Sequence, residues 1–141
     1  MGTRSFIVTK NPKGDFTGIY CHWDGYPDGD KVGVGYTLQT YYKSKGKVRA
    51  LVRLGAISSL GQHLAAVGPH SFDNPQEGVT IAYRRDRGET DCKAVTYPTL
   101  REMASHAADA WAQYIYVFDG KRWHWAGVDD AMNGKPFTTL L

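Results

Sequence analysis

The segment Thr99-Leu100-Arg101-Glu102 has the form of a capping box, in which the Thr hydroxyl accepts from the Glu backbone N–H and the Glu side chain reaches back to the Thr N–H. Leu100, Met103, Ala104, Ala107, Ala108 and Trp111 follow at helical spacing, which predicts a helix over 99 to 112 with a narrow apolar face made mostly of alanine. So small a face packs closely only against a flat partner, and the chain supplies one at once. Tyr114 to Phe118 and Arg122 to Ala126 read as strands joined through Asp119-Gly120, the strongest short hairpin signal in the sequence. Trp123 and Trp125 share one face of the second strand, as core residues or as an exposed stacking platform.

The same punctuation recurs upstream. Residues 4 to 9 read as a strand ending in Asn11-Pro12-Lys13-Gly14, and Thr17 to Asp24 as its hairpin partner. Strict alternation would put Ile19, Cys21 and Trp23 on one face, with Cys21 and Trp23 in the core, and Tyr20, His22 and Asp24 on the other. Val34, Leu38, Tyr41 and Tyr42 predict a helix from 30 or 33 to 43, capped by Asp28 or Asp30. Val48, Leu51 and Val52 predict a second helical stretch that stops at Gly55. Residues 56 to 78 carry no period and read as irregular. A strand resumes at Val79 to Tyr83, and Arg84 to Asp91 reads as a charged turn into an antiparallel partner at Ala94 to Tyr97. The sum is an α+β fold: one domain over residues 1–141, a mainly antiparallel sheet of about five or six strands, and two or three helices on one face.

A chain of 141 residues buries enough surface to fold without staples. Its two cysteines, Cys21 and Cys92, have no paired spacing, so a reducing cytoplasm with free thiols is the expectation. The start lacks an apolar leader, and no run of about 18 apolar residues occurs, which argues against secretion and membrane spanning. Gly2 has Phe6 where a myristoylation motif wants Ser or Thr. A formal charge of +3 is too mild to mark a dedicated DNA binder. Metal ligation and a cofactor are not expected: His22, His63, His70, His106 and His124 show no His-x-x-x-His spacing, and no Cys-x-x-Cys occurs.

The densest chemistry is Tyr20-Cys21-His22-Trp23-Asp24-Gly25-Tyr26-Pro27, a strand end beside a glycine turn. A Cys21 nucleophile with His22 as base fails on pleating, because adjacent strand residues point to opposite faces. His22 and Asp24 on a shared face would suit a general base and its orienter, a ligand-binding pair, or a structural aromatic corner. Gly29 to Gly35 opens a helix and offers backbone N–H groups to an anion, although neither a Walker loop nor a dinucleotide fingerprint is present. Lys43, Lys45, Lys47, Arg49 and Arg53 form a basic run without an acid, and Arg84, Arg85 and Arg87 a second patch. Lying on one side, the two together would hold a phosphate backbone, a cyclic nucleotide or an acidic protein surface; otherwise they serve as a solvated face, the arginines of the second forming a local ion network with Asp86, Glu89 and Asp91. The residues expected to bind a ligand are Arg4, Tyr20, His22, Asp24, Tyr26, Arg84, Arg85 and Arg87, with His22 and Asp24 as the catalytic candidates.

The start Met1-Gly2-Thr3-Arg4-Ser5, the run Ile19 to Pro27 containing Trp-Asp-Gly-Tyr-Pro, Ile57-Ser58-Ser59-Leu60 and Arg85-Asp86-Arg87-Gly88-Glu89 together resemble a family of small proteins encoded by tailed bacteriophages. The likeness covers most of the chain and departs at Asp28 to Val32, where the family runs more directly from its Tyr-Pro turn into the helix. The resemblance implies a setting, the bacterial host cytoplasm, and no reaction. Proteins of this kind act on host machinery, by occupying a host protein or by sequestering a nucleotide signal of host defence. The expected partner is therefore a host protein or a nucleotide-type ligand, with direct nucleic-acid contact and self-association left open. A small nucleotide-processing enzyme using His22 and Asp24, and a pure protein–protein inhibitor, are the alternatives.

Overall fold

Phe6-Ile7-Val8 and Ile115-Tyr116-Val117-Phe118 are apolar without a polar break, the pattern of strands covered on both faces. In the computed structural model, which describes residues 2–27 and 32–140, these segments lie side by side as β1 (Ser5–Lys10) and β6 (Tyr114–Phe118), a parallel pair at the centre of the sheet. Successive residues feed two cores: Ile7, Tyr116 and Phe118 enter one, and Phe6, Val8, Ile115 and Val117 the other.

Among the described residues the sheet has eight strands. β2 (Phe16–Cys21) pairs antiparallel with β1, and β3 (Ile57–Ser59) follows β2 in parallel, with β4 (Ile81–Ala82) at that edge. On the other side β7 (Trp123–Gly127) and β8 (Thr138–Thr139) extend the sheet antiparallel from β6, while β5 (Val95–Tyr97) pairs with β2 off this path. The sheet is thus mixed, larger than the expected five or six strands, and not mainly antiparallel in the sense anticipated. Val79 to Tyr83 and Ala94 to Tyr97 are not partners, since β4 pairs with β3 and β5 with β2.

Helices cover both faces, not one. α1 (Val34–Tyr41) and α2 (Lys45–Arg53) bury Val34, Leu38, Val48, Leu51 and Val52 on one side. α4 (Leu100–Asp109) lays Met103, Ala104 and Ala107 on the other, beside Val128 and Ala131 of α5 (Val128–Met132). The physical reason is the two-sided apolar composition of β1 and β6, which leaves neither face able to meet water. The Thr99 half of the capping box forms, with Thr99 Oγ1 accepting from the Glu102 N–H at 3.2 Å. Arg84 to Arg87 is not a turn but the short helix α3 (Tyr83–Arg87), closed by Gly88 in the left-handed region at φ 78°. Trp111 leaves the core as well: the helix ends at Asp109, and Trp111 is exposed at φ 65°, a cap conformation that bulky residues rarely adopt. No described helix is long and apolar enough to cross a membrane.

Residues 60 to 80 are tied down by side chains together with a short backbone bridge, in which the His63 N–H donates to the Gly78 carbonyl and the Thr80 N–H to that of His63. Tyr42, fully buried, donates from its hydroxyl to the Gly61 carbonyl at 2.6 Å. Arg85 donates to the carbonyls of Leu64 and Thr80, and Asp86 accepts from the Ala82 N–H at 2.8 Å. His70 accepts the Gln76 N–H on Nδ1, which leaves its ring proton on Nε2, 3.3 Å from Asp86 Oδ2.

Candidate functional site

The corner from Tyr20 to Pro27 is built by backbone contacts. Pleating ends at Cys21, and the chain then turns so that Gly25 N–H donates to the Thr3 carbonyl at 2.8 Å and the Tyr116 hydroxyl to the Gly25 carbonyl at 2.6 Å. Gly35 packs so closely on the Pro27 backbone that a Cβ there would overlap it, and Gly33 at φ 101° lies under the Tyr26 ring. Trp23 is therefore not in the core; it is 44% exposed, lies edge-on to His22 at 4.7 Å and covers Gly2. Cys21 is in the core, and burial pushes its thiol up to about 12, so it carries no thiolate at neutral pH.

His22 and Asp24 do not pair. The Tyr20 hydroxyl lies 2.7 Å from His22 Nδ1, while Asp24, at φ 57°, accepts from the Tyr26 hydroxyl at 3.3 Å. Burial raises the Tyr20 phenol against the opposing pull of Arg4, and burial first, then the Arg4 charge, lowers His22. Tyrosine accordingly keeps its proton and donates it to a neutral imidazole, whose own proton sits on Nε2. Neither ring nitrogen is then free to take a proton, so this arrangement lacks an open general base. The helix start at Gly33 offers no anion cradle on its first amides, because Val34 N–H donates to the Asp24 carbonyl and Gly35 N–H to that of Tyr26. The caps assigned to Asp28 or Asp30, and part of that glycine segment, lie outside the described residues.

The Arg84 to Arg87 patch is occupied internally. Arg84 donates to the Arg53 carbonyl at 2.8 Å, Arg85 grips Asp86 through Nε at 2.9 Å and Nη2 at 3.0 Å, and Arg87 pairs with Glu89 at 3.3 Å while stacking over Phe72. Of the other basic run, Lys47 is likewise committed, donating to the carbonyls of Tyr41 and Gln62 over the Tyr42 ring. Trp123 is core, donating from Nε1 to the Tyr42 carbonyl at 2.8 Å, so the Trp123–Trp125 face is no open platform.

Two further members of the basic run meet elsewhere. β1 and β6 end together, and their chains leave in opposite directions, β1 turning out to β2 and β6 to β7. A crevice of about 630 Å³ opens between those turns, and Lys10, Lys45 and Arg49 line it together with Phe118, Asp119 and Gly120. The concavity lies outside the carboxyl ends of the parallel pair, where the two hairpins turn away from each other. Lys45 opens α2 behind the Ser44 cap, whose hydroxyl accepts the Lys47 N–H at 3.2 Å, and Arg49 follows one turn on. Gly120, at φ 104°, leaves room for the Lys45 stem, which a Cβ would approach to 3.3 Å. Lys10, Lys45 and Arg49 are exposed, and none of them has a hydrogen bond or ion pair from its side chain.

The one carboxylate in the crevice, Asp119, is already spoken for. Its Oδ1 accepts the backbone N–H groups of Lys121 and Arg122, both at 2.8 Å, and its Oδ2 lies 2.7 Å from His124 Nε2. Partial burial works to raise this carboxyl, but the Arg122 N–H, the His124 ring and the Lys121 N–H outweigh it and hold it at about 2. A folded value below the ordinary 3.8 contributes stability that is present above the carboxylate range and is lost as pH falls through about 2. Asp119→Asn is thus expected to lower stability at neutral pH and to flatten the acid limb of the stability profile between about pH 4 and pH 2, so that variant and wild type converge at the acid end, read by urea unfolding at each pH. Sequence reasoning found Lys45 and Arg49 as part of a charge run but missed Lys10 and the crevice, because the parallel pairing that joins them is non-local. Comparisons with protein-family models, with curated proteins and with solved structures give no match for this chain.

Proposed function

We propose that this chain is a binding protein that holds an anionic partner in the crevice at the carboxyl ends of β1 and β6, in the phage setting its sequence resembles. The observation that carries the reading is the convergence of Lys10, Lys45 and Arg49 on one concavity whose lining has, among the described residues, a single carboxylate, Asp119, already bonded to two backbone N–H groups and the His124 ring. Cations without carboxylate partners at a concave surface focus a positive field, and Arg and Lys donors suit phosphate oxygens. A phosphate-bearing partner, such as a nucleotide signal of host defence, fits both this chemistry and that setting. Binding in place of turnover follows from the closed Tyr20–His22 pair and the neutral Cys21.

Isothermal titration with tripolyphosphate and with ATP tests the proposal. Both should bind the wild type, and Lys45→Glu combined with Arg49→Glu should weaken them at least tenfold without lowering the melting temperature, since both side chains are exposed and unbonded. Binding that survives the double reversal would refute the site, and absence of heat at millimolar ligand would refute the small-anion reading.

A further inference from the structure

A second concavity adjoins the first. On the far side of the β6–β7 turn a cleft of about 700 Å³ is lined by Lys43, Lys121 and Arg122, with Tyr36, Gln39 and Trp123 behind them, and no carboxylate among its lining residues. The two clefts share their borders: the link from α1 to α2 supplies Lys43 to one and Lys45 to the other, and the turn from Asp119 to Arg122 supplies residues to both. Gly120, beside the Lys45 stem in the first cleft, adds no side chain where the turn runs on to Lys121 and Arg122 of the second. Six cations therefore follow one another along the carboxyl end of β1 and β6 and on across β7 to Leu140 beyond β8. That is three strand spacings, about 14 Å.

Resting on the crevice reading, we infer that the anionic partner is an extended phosphodiester strand, a single-stranded nucleic acid, lying across both clefts with its phosphates against the six cations. A single phosphate group needs only the first cleft. An acidic protein surface offers convex, rigid carboxylates that do not descend into two adjoining concavities, whereas a flexible strand follows both. Tyr36, half-buried beside Lys43 and edge-on to Tyr41 at 6.5 Å, supplies a ring against which a base can stack. The mild net charge does not oppose this, because these six of the 17 Lys and Arg are gathered at one end while the acids Asp129 and Asp130 lie at α5 near the amino end of β6.

Fluorescence anisotropy with a labelled oligothymidylate of about twelve nucleotides, within the length one small fold covers, tests the inference. The oligonucleotide should bind at least tenfold more tightly than tripolyphosphate competes. Its log affinity should fall against log salt with a slope of about −4 for six phosphate contacts. Lys43→Glu with Arg122→Glu should bring the slope to about −3, for the four contacts that remain, and weaken the strand tenfold or more, yet weaken tripolyphosphate far less; Arg101→Glu with Lys135→Glu, both outside the two clefts, matches the change in net charge. If the second-cleft variant leaves oligonucleotide binding intact, or if a poly-glutamate peptide of equal charge displaces the strand as well as unlabelled oligonucleotide does, the strand inference falls while the crevice stands. Loss of tripolyphosphate binding in the wild type would remove both.

Discussion

Asp86→Ala should lose about 3 to 5 kcal/mol of folding stability, one of the two largest single-residue effects in the molecule. The carboxylate is 5% exposed and is shared by the Arg85 guanidinium, the Ala82 N–H and the His70 ring. Burial works against its charge, and these partners outweigh burial and hold the carboxyl below its ordinary range. Removing it leaves the Ala82 N–H without its acceptor and the guanidinium, still bonded to the Leu64 and Thr80 carbonyls, without its counter-charge in a partly dry site, which costs more than the pair itself contributes. Asp86→Asn keeps the shape and some of the bonds and should fall between. Urea unfolding followed by tryptophan fluorescence reads the difference, and a loss under about 1 kcal/mol would mean the network is ornamental.

Tyr42→Ala should be of similar size, about 3 to 5 kcal/mol, from a large cavity beneath α1. Tyr42 is fully buried, its hydroxyl donates to Gly61 with Thr80 Oγ1 at 3.3 Å, and its carbonyl accepts the Trp123 indole. Tyr42→Phe separates the parts: it keeps the packing and removes the hydroxyl, leaving the Gly61 carbonyl its longer bond from Thr80 Oγ1 at 3.4 Å, for about 0.5 to 1.5 kcal/mol. Both variants should also loosen residues 60 to 80, seen as faster amide exchange there than in β1 or β6. Equal exchange across those regions would show that the loop is held by something other than these two side chains.

That loop shows why part of the fold could not be read in one dimension. Its order depends on Tyr42, Arg85 and Asp86, which reach it from 19 to 21 positions away or from the far end of the loop, and no local period records such bonds. Where the signal was local it held: the Thr99 cap, the strand Tyr114–Phe118 and the Asp119-Gly120 turn all stand where their residues put them. The two-faced cover was also present in the residues, since Ile115 to Phe118 has no polar alternation, but a hairpin-based topology leaves one face open and hides it. At the corner the glycines that suggested a binding loop are there for close packing on Pro27 and Tyr26. Lys10 and Arg49 lie far apart in sequence, and only the parallel register of β1 on β6 and the return of α2 across it bring them to one crevice.

The most direct test of that crevice is a map of backbone amide shifts on titrating tripolyphosphate into the isotopically labelled protein. The account predicts perturbations gathered at residues 9–12, 44–49 and 118–122. Shifts gathered at 20–26 and 83–87, with those segments silent, would contradict it.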